Sequence, residues 1–188
     1  MDAMIVVDMQ AGLLNGPPKH DLRGVIDRIN QLAAATRARS GKVVWIQHCG
    51  RPGDDFAPDK PGWAFLPEMD RKPADIVVQK TLNDPFAGTV LRTANLRTVL
   101  DKISTDRVLV AGWATDFCVD ATVRSAVSGG YNVVVAGDGH TLNDRPHLDA
   151  QAVIGHHNWV WSDLITIANR SIRIASTAEL LAEAALRR

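Results

Sequence analysis

Three side chains in this chain combine into usable chemistry: the carboxylate of Asp8, the ammonium of Lys80 and the thiol of Cys118. Asp8 follows the apolar run Ile5-Val6-Val7, and Lys80 follows Val77-Val78-Gln79. Cys118 closes the string Trp113-Ala114-Thr115-Asp116-Phe117-Cys118, which comes after Val108-Leu109-Val110-Ala111. An acid can take a proton, a thiolate can attack a carbonyl carbon, and a cation can hold the charge that moves between them. Taken singly, each residue has a plainer reading: Asp8 as a helix cap or loop acid, Lys80 as a solvated lysine, Cys118 as a small buried hydrophobe. Taken together, at the ends of three apolar runs, they form a candidate site. Thr115 is placed as an N-cap, which puts Cys118 at N3 in the first helical turn. Both the helix terminus and a nearby ammonium would favour its thiolate there.

The elements that must position these groups can be read from periodicity. Short β-branched runs over 3–7, 42–47, 74–79, 107–111, 132–136 and 171–175 read as strands, with the near-continuous Val, Ile and Leu content of a parallel sheet covered on both faces. Helical patterns over 22–39, 89–103, 116–128, 145–168 and 177–186 alternate with them, and Gly41 and Gly129-Gly130 fall where C-caps belong. This alternation implies a three-layer α/β/α domain, 1–188, with no composition shift to mark a second one. Ligands of such sheets collect beyond the carboxyl ends of the strands, which is where Asp8, Lys80 and Cys118 fall. The one long irregular stretch, 48–72, carries Phe56, Trp63 and Phe65 and reads as a functional loop.

Composition excludes other classes. Lys plus Arg and Asp plus Glu both number 21, so no basic surplus exists to attract nucleic acid or anionic lipid. Cys49 and Cys118 are too few for a disulfide framework and point to thiols in a reducing, cytoplasmic setting. No apolar stretch is long enough to span a membrane, and the N-terminus lacks the basic start of a signal peptide.

The strings Ile5-Val6-Val7-Asp8-Met9-Gln10, Gln79-Lys80-Thr81-Leu82-Asn83-Asp84-Pro85-Phe86 and Ala111-Gly112-Trp113-Ala114-Thr115-Asp116-Phe117-Cys118-Val119 resemble, in order, the three signature segments of the isochorismatase-like cysteine hydrolase superfamily. Gly62-Trp63 and Gly137-Asp138-Gly139-His140 extend the resemblance over nearly the whole chain. It implies a six-stranded parallel sheet in the order 3-2-1-4-5-6, an Asp8–Lys80–Cys118 triad and a cis peptide at Trp113–Ala114. It also implies a homo-oligomer, dimeric or larger. The mechanism it suggests is acyl transfer through a thioester on Cys118, with the backbone N–H groups of Ala114 and Cys118 holding the oxyanion. The oxyanion donors, worth about 10²–10³ each, should outweigh any gain from a lowered thiol pKa.

Departures from relatives narrow the substrate. Isochorismatases proper are vinyl-ether hydrolases that do not need the cysteine, so Cys118 tilts this chain toward C–N bonds in an amide, carbamoyl compound or lactam. Nicotinamidases of the superfamily carry a metal site with Asp-x-His spacing after strand two. Here that place reads Gln47-His48-Cys49-Gly50, and neither a metal nor another cofactor is expected. Trp113, Phe86, Phe117 and Trp63 are candidates for an apolar wall around a small or flat substrate, and Gln47 and His48 for polar contacts. Three alternatives stand beside the amidase: ether hydrolysis without the thiol, a redox protein with Cys118 peroxidatic and Cys49 resolving, and a catalytically silent member of the fold acting as a subunit or binding module.

Overall fold

The computed structural model describes residues 3–87 and 94–186. Six parallel strands form one sheet: β1 (Ala3–Val7), β2 (Lys42–His48), β3 (Ile76–Lys80), β4 (Arg107–Trp113), β5 (Asn132–Thr141) and β6 (Ile172–Ala175). Their order is β3-β2-β1-β4-β5-β6, so β1 is central and every residue of it is fully buried. Because alternate residues of a strand face opposite sides, β1 feeds two cores. Ala3, Ile5 and Val7 pack with Leu96, Leu100, Val123 and Trp161 on one face. Met4 and Val6 pack with Val25, Ile29, Leu32 and Leu180 on the other. Each of the Val, Ile, Leu and Met side chains contributes about 1.5–3 kcal/mol on burial, which explains why these strands lack the polar alternation of a half-exposed sheet.

The helices are α1 (Ala11–Leu14), α2 (Leu22–Ala38), α3 (Leu96–Lys102), α4 (Asp120–Ser128), α5 (Ala150–Ser162) and α6 (Thr177–Leu186). Cores on both sheet faces make the three layers that the β-α alternation implies: α3, α4 and α5 cover one face, α2 and α6 the other. No described helix is long and apolar enough to cross a membrane.

Several boundaries differ from the sequence pattern, each for a local reason. At the end of α2 it is Ser40, with φ 57°, that takes the left-handed position expected of Gly41. The Gly41 N–H instead reaches back to the Thr36 carbonyl at 2.9 Å. The helix expected over 145–168 is shortened to α5, because Asp149 accepts the Ala152 N–H at 2.7 Å and starts it there. Of the helix expected over 89–103, the structure shows α3, capped by Asn95, whose side chain accepts the Thr98 N–H at 3.0 Å; its first residues lie outside those described. Strand β5 runs five residues past its apolar core, through Gly137 to Thr141, with a register shift opposite β4 between Val110 and Gly112.

Candidate active site

Asp8 is the first residue beyond β1. Its backbone turns out of the strand with φ 50°, while its N–H still donates to the Ile46 carbonyl at 3.1 Å. The turn is crowded: Gly112 of β4, with φ 129°, lies so close that a Cβ there would sit 2.3 Å from the Val7 carbonyl oxygen. Lys80 ends β3, two strands away and opposite His48 of the intervening β2. Two strand spacings are about 9.6 Å, so a group as long as a lysine is needed to reach the centre. Its Nζ does so, lying 2.7 Å from Asp8 Oδ2, 3.1 Å from Cys118 Sγ, 3.2 Å from His48 Nδ1 and 3.0 Å from the Leu82 carbonyl. Asp8 and Lys80 are both fully buried, and Cys118 is 5% exposed.

Cys118 sits in a wide, π-type turn, Thr115–Val119, between β4 and α4. The Trp113–Ala114 peptide that leads into it is cis. The cap residue is Ala114, extended at φ −97° and ψ 145°, rather than the expected Thr115, so Cys118 occupies the fourth position of the turn and not N3. The Thr115 hydroxyl is committed elsewhere, lying 2.9 Å from Nδ1 of His140. His140 is buried and its Nε2 faces Asn158 Oδ1 at 3.0 Å; burial, only partly offset by that hydrogen bond, pushes its pKa down to about 4. The imidazole is therefore neutral and accepts the Thr115 proton, fixing the turn from behind.

The thiol differs from expectation in its resting state. Burial, reinforced by the Asp8 charge, outweighs the pull of Lys80 and pushes the Cys118 pKa up to about 12. Burial works against the Lys80 ammonium too, but the charges and hydrogen bonds of Asp8 and Cys118 hold its pKa above the ordinary value. The pair Lys80–Asp8 thus carries the charge, and sulfur keeps its proton. A turn terminus and one ammonium cannot repay the desolvation of a thiolate in so closed a place.

A cavity of about 190 Å³ opens onto the sulfur. Asp8, His48, Asn83 and Cys118 supply its polar groups, and Leu13, Phe56, Trp113 and Phe117 its apolar walls. Of the six side chains expected to contact substrate, His48, Trp113 and Phe117 are there. Phe86 is not: it packs into the core, its ring 5.8 Å from that of Tyr131. Trp63 and Gln47 line a separate surface groove. Gln47 donates to the Trp63 carbonyl at 3.1 Å and accepts from Gln79 at 3.2 Å, tying the long loop to the sheet. Sequence reasoning missed Leu13, Phe56 and Asn83. Asn83 sits inside a quoted motif and was within reach; Leu13 arrives on the single-turn helix α1 and Phe56 on the long loop, neither of which carries a periodicity that reveals its path.

Donor atoms of Asp8, His48 and Cys118 lie within 4.8 Å of one another, a spacing that would suit a metal ion. The place is taken: Lys80 Nζ already contacts one donor atom of each. The site is arranged around an ammonium rather than around a metal.

The geometry is thus a buried acid, ammonium and thiol brought together beneath a small cavity at the carboxyl edge of a parallel sheet. The isochorismatase domain model matches residues 2–168. The chain is 31% identical to a streptothricin hydrolase of Streptomyces noursei, over 98% of this chain and 68% of that protein. It is 28% identical to a ureidoacrylate amidohydrolase of Methylorubrum extorquens, over 80% of this chain and 73% of that one. A crystal structure of an isochorismatase family protein superposes with a TM-score of 0.80 at 27% identity, covering 93% of this chain and 97% of that one. The chain belongs to the isochorismatase family.

Proposed function

We propose that this protein is a cysteine-dependent amidohydrolase that cleaves a C–N bond of a small molecule, in an amide, carbamoyl or lactam group, through a thioester on Cys118. One observation carries the reading: a single buried ammonium touches both the Asp8 carboxylate and the Cys118 sulfur, at 2.7 and 3.1 Å, at the floor of a cavity. A thiol of pKa about 12 is ionised to roughly one part in 10⁵ at pH 7, so a base beside it is required. Asp8 Oδ1, buried and without a hydrogen-bond partner among the described residues, is the atom left to accept the proton.

In the proposed reaction the S–H proton moves to Asp8 as sulfur bonds to the carbonyl carbon and the C=O pair moves to oxygen. The N–H groups of Ala114 and Cys118 hold that oxyanion; the Ala114 carbonyl accepts from Phe117 and Val119 and passes over Cys118. The intermediate collapses, the C–N bond breaks, and Asp8 returns its proton to the departing nitrogen. Water then attacks the thioester, giving a proton to Asp8, and the C–S bond breaks as sulfur is reprotonated. Lys80 stays charged throughout and keeps the carboxylate and sulfur in register. The names of two relatives, a hydrolase and an amidohydrolase, support the reaction class.

The test is intact-protein mass spectrometry during turnover of an amide panel. An adduct of acyl mass that maps to Cys118, absent in Cys118→Ala, is the expected result. Amide turnover that survives Cys118→Ala would refute the thioester.

A further inference from the structure

We propose that the cavity takes the reacting end of an uncharged, flat, cyclic amide or imide about the size of a six-membered ring, and that His48 reads a second hydrogen-bond acceptor on it. This rests on the amidohydrolase reading only in directing the reacting carbonyl toward Cys118.

The role of His48 follows from its neighbour. An ammonium has three protons and no lone pair, so His48 Nδ1, 3.2 Å from Lys80 Nζ, must be an acceptor. The ring proton is therefore on Nε2, which has no partner among the described residues. Protonating the ring would set N–H against N–H and place a second cation beside Lys80. Burial and the Lys80 charge accordingly hold the imidazole below its ordinary pKa, against the weaker pull of Asp8 and Asp54. The ring is also held edge-on to Phe56 at 5.5 Å. A fixed, neutral Nε2–H is thus left free as a donor on a residue that lines the cavity.

Charge and size complete the specification. Among the described residues no lining residue is a cation, and Lys80 beneath them faces four acceptors with only three protons to give. Arg145 lies over Phe117 at the rim, but Asp116 holds its guanidinium with two bonds of 2.7 Å each. A carboxylate entering this site finds no free counter-charge among the described residues, whereas a neutral carbonyl needs only a donor, which His48 Nε2–H and the unpartnered Nε1–H of Trp113 supply. An apolar cavity of about 150 Å³ holds benzene, so about 190 Å³ admits a ring with one or two substituent atoms. Aromatic walls from Trp113, Phe117 and Phe56 favour flat faces.

Binding, measured by calorimetry on the Cys118→Ser protein, tests this with two matched pairs. Glutarimide differs from δ-valerolactam by a second carbonyl; 2-pyrrolidone-5-carboxamide differs from 2-pyrrolidone-5-carboxylate by charge. The imide should bind about fivefold more tightly than the lactam, the worth of one neutral hydrogen bond. The neutral amide should exceed the carboxylate by on the order of 100-fold, the cost of an unpaired buried charge. His48→Phe should erase the first preference and leave the second, while His48→Gln, which keeps a donor, should retain part of the first. The proposal is overturned if the carboxylate binds as well as its amide, if the imide has no advantage, or if that advantage survives His48→Phe. An acyl adduct on Cys118 with the carboxylate preferred would leave the hydrolase standing and remove this proposal. The expected binding order without any adduct would do the reverse.

Discussion

Lys80→Met tests the electrostatic logic of the site independently of any substrate. In the native protein Lys80 Nζ lies 2.7 Å from Asp8 Oδ2 and both side chains are fully buried. At an effective dielectric of 20 that contact amounts to about 6 kcal/mol of attraction, most of it offset by desolvation of the two ions. Removing the ammonium leaves a carboxylate with no water and no counter-charge. Its escape is to bind a proton, and the free energy of that step sets a ceiling on the loss. With an unfolded carboxyl pKa near 3.9, protonation costs about 4 kcal/mol at pH 7 and about 1.5 kcal/mol at pH 5. The folded-state pKa of Asp8 is raised in the variant. Its penalty is therefore absent below the unfolded pKa and grows as pH rises, by up to about 1.4 kcal/mol per pH unit. Urea unfolding of Lys80→Met against the native protein should thus show a stability deficit of up to about 4 kcal/mol at pH 7 that shrinks to at most about 1.5 kcal/mol at pH 5. Asp8→Asn/Lys80→Met, which has no buried charge, should lose that pH dependence. A deficit below about 1 kcal/mol at pH 7, or one flat between pH 5 and 7, would refute the claim that the pair is buried and mutually dependent.

Further outcomes follow from other contacts. His140, held near pKa 4 against an ordinary 6.5, lends stability that is full above pH 6.5 and fades as pH falls toward 4, by about 3 kcal/mol in all; melting curves of His140→Leu should lack this component of the acid slope. Gly112→Ala puts a Cβ 2.3 Å from the Val7 carbonyl at φ 129°, and should cost more than about 3 kcal/mol in thermal unfolding or prevent soluble expression. Cys49→Ser should keep full amide turnover, since Cys49 is buried outside the lining of the catalytic cavity; loss of turnover there would revive a two-cysteine redox reading. Asn83→Ala removes a cavity-lining group 3.6 Å from the sulfur, and should raise KM more than it lowers kcat in steady-state assays of the substrate found by the amide panel.

The sheet was legible because burial on both faces writes itself into sequence as unbroken Val, Ile and Leu, and β1, β2, β4 and β5 start where those runs start. Helix ends were less so. Whether Asn95, Asp149 or Ala114 begins a helix depends on what else competes for the cap, and Thr115 was lost to His140. Among site residues, Asp8, Lys80 and Cys118 stood out because strand ends in a parallel sheet share one edge. Phe86, Trp63 and Gln47 shared that region of sequence but turned into the core or the loop instead.

What the chain of residues determined alone is therefore an inventory with an address: an acid, an ammonium and a thiol delivered to one side of a doubly covered sheet. Folding decided the rest. The reach of a lysine across two strands, the burial that keeps sulfur protonated and the tautomer of His48 set by Lys80 all arise from side chains far apart in sequence. Desolvation depends on every neighbour at once, and no local pattern of residues encodes it.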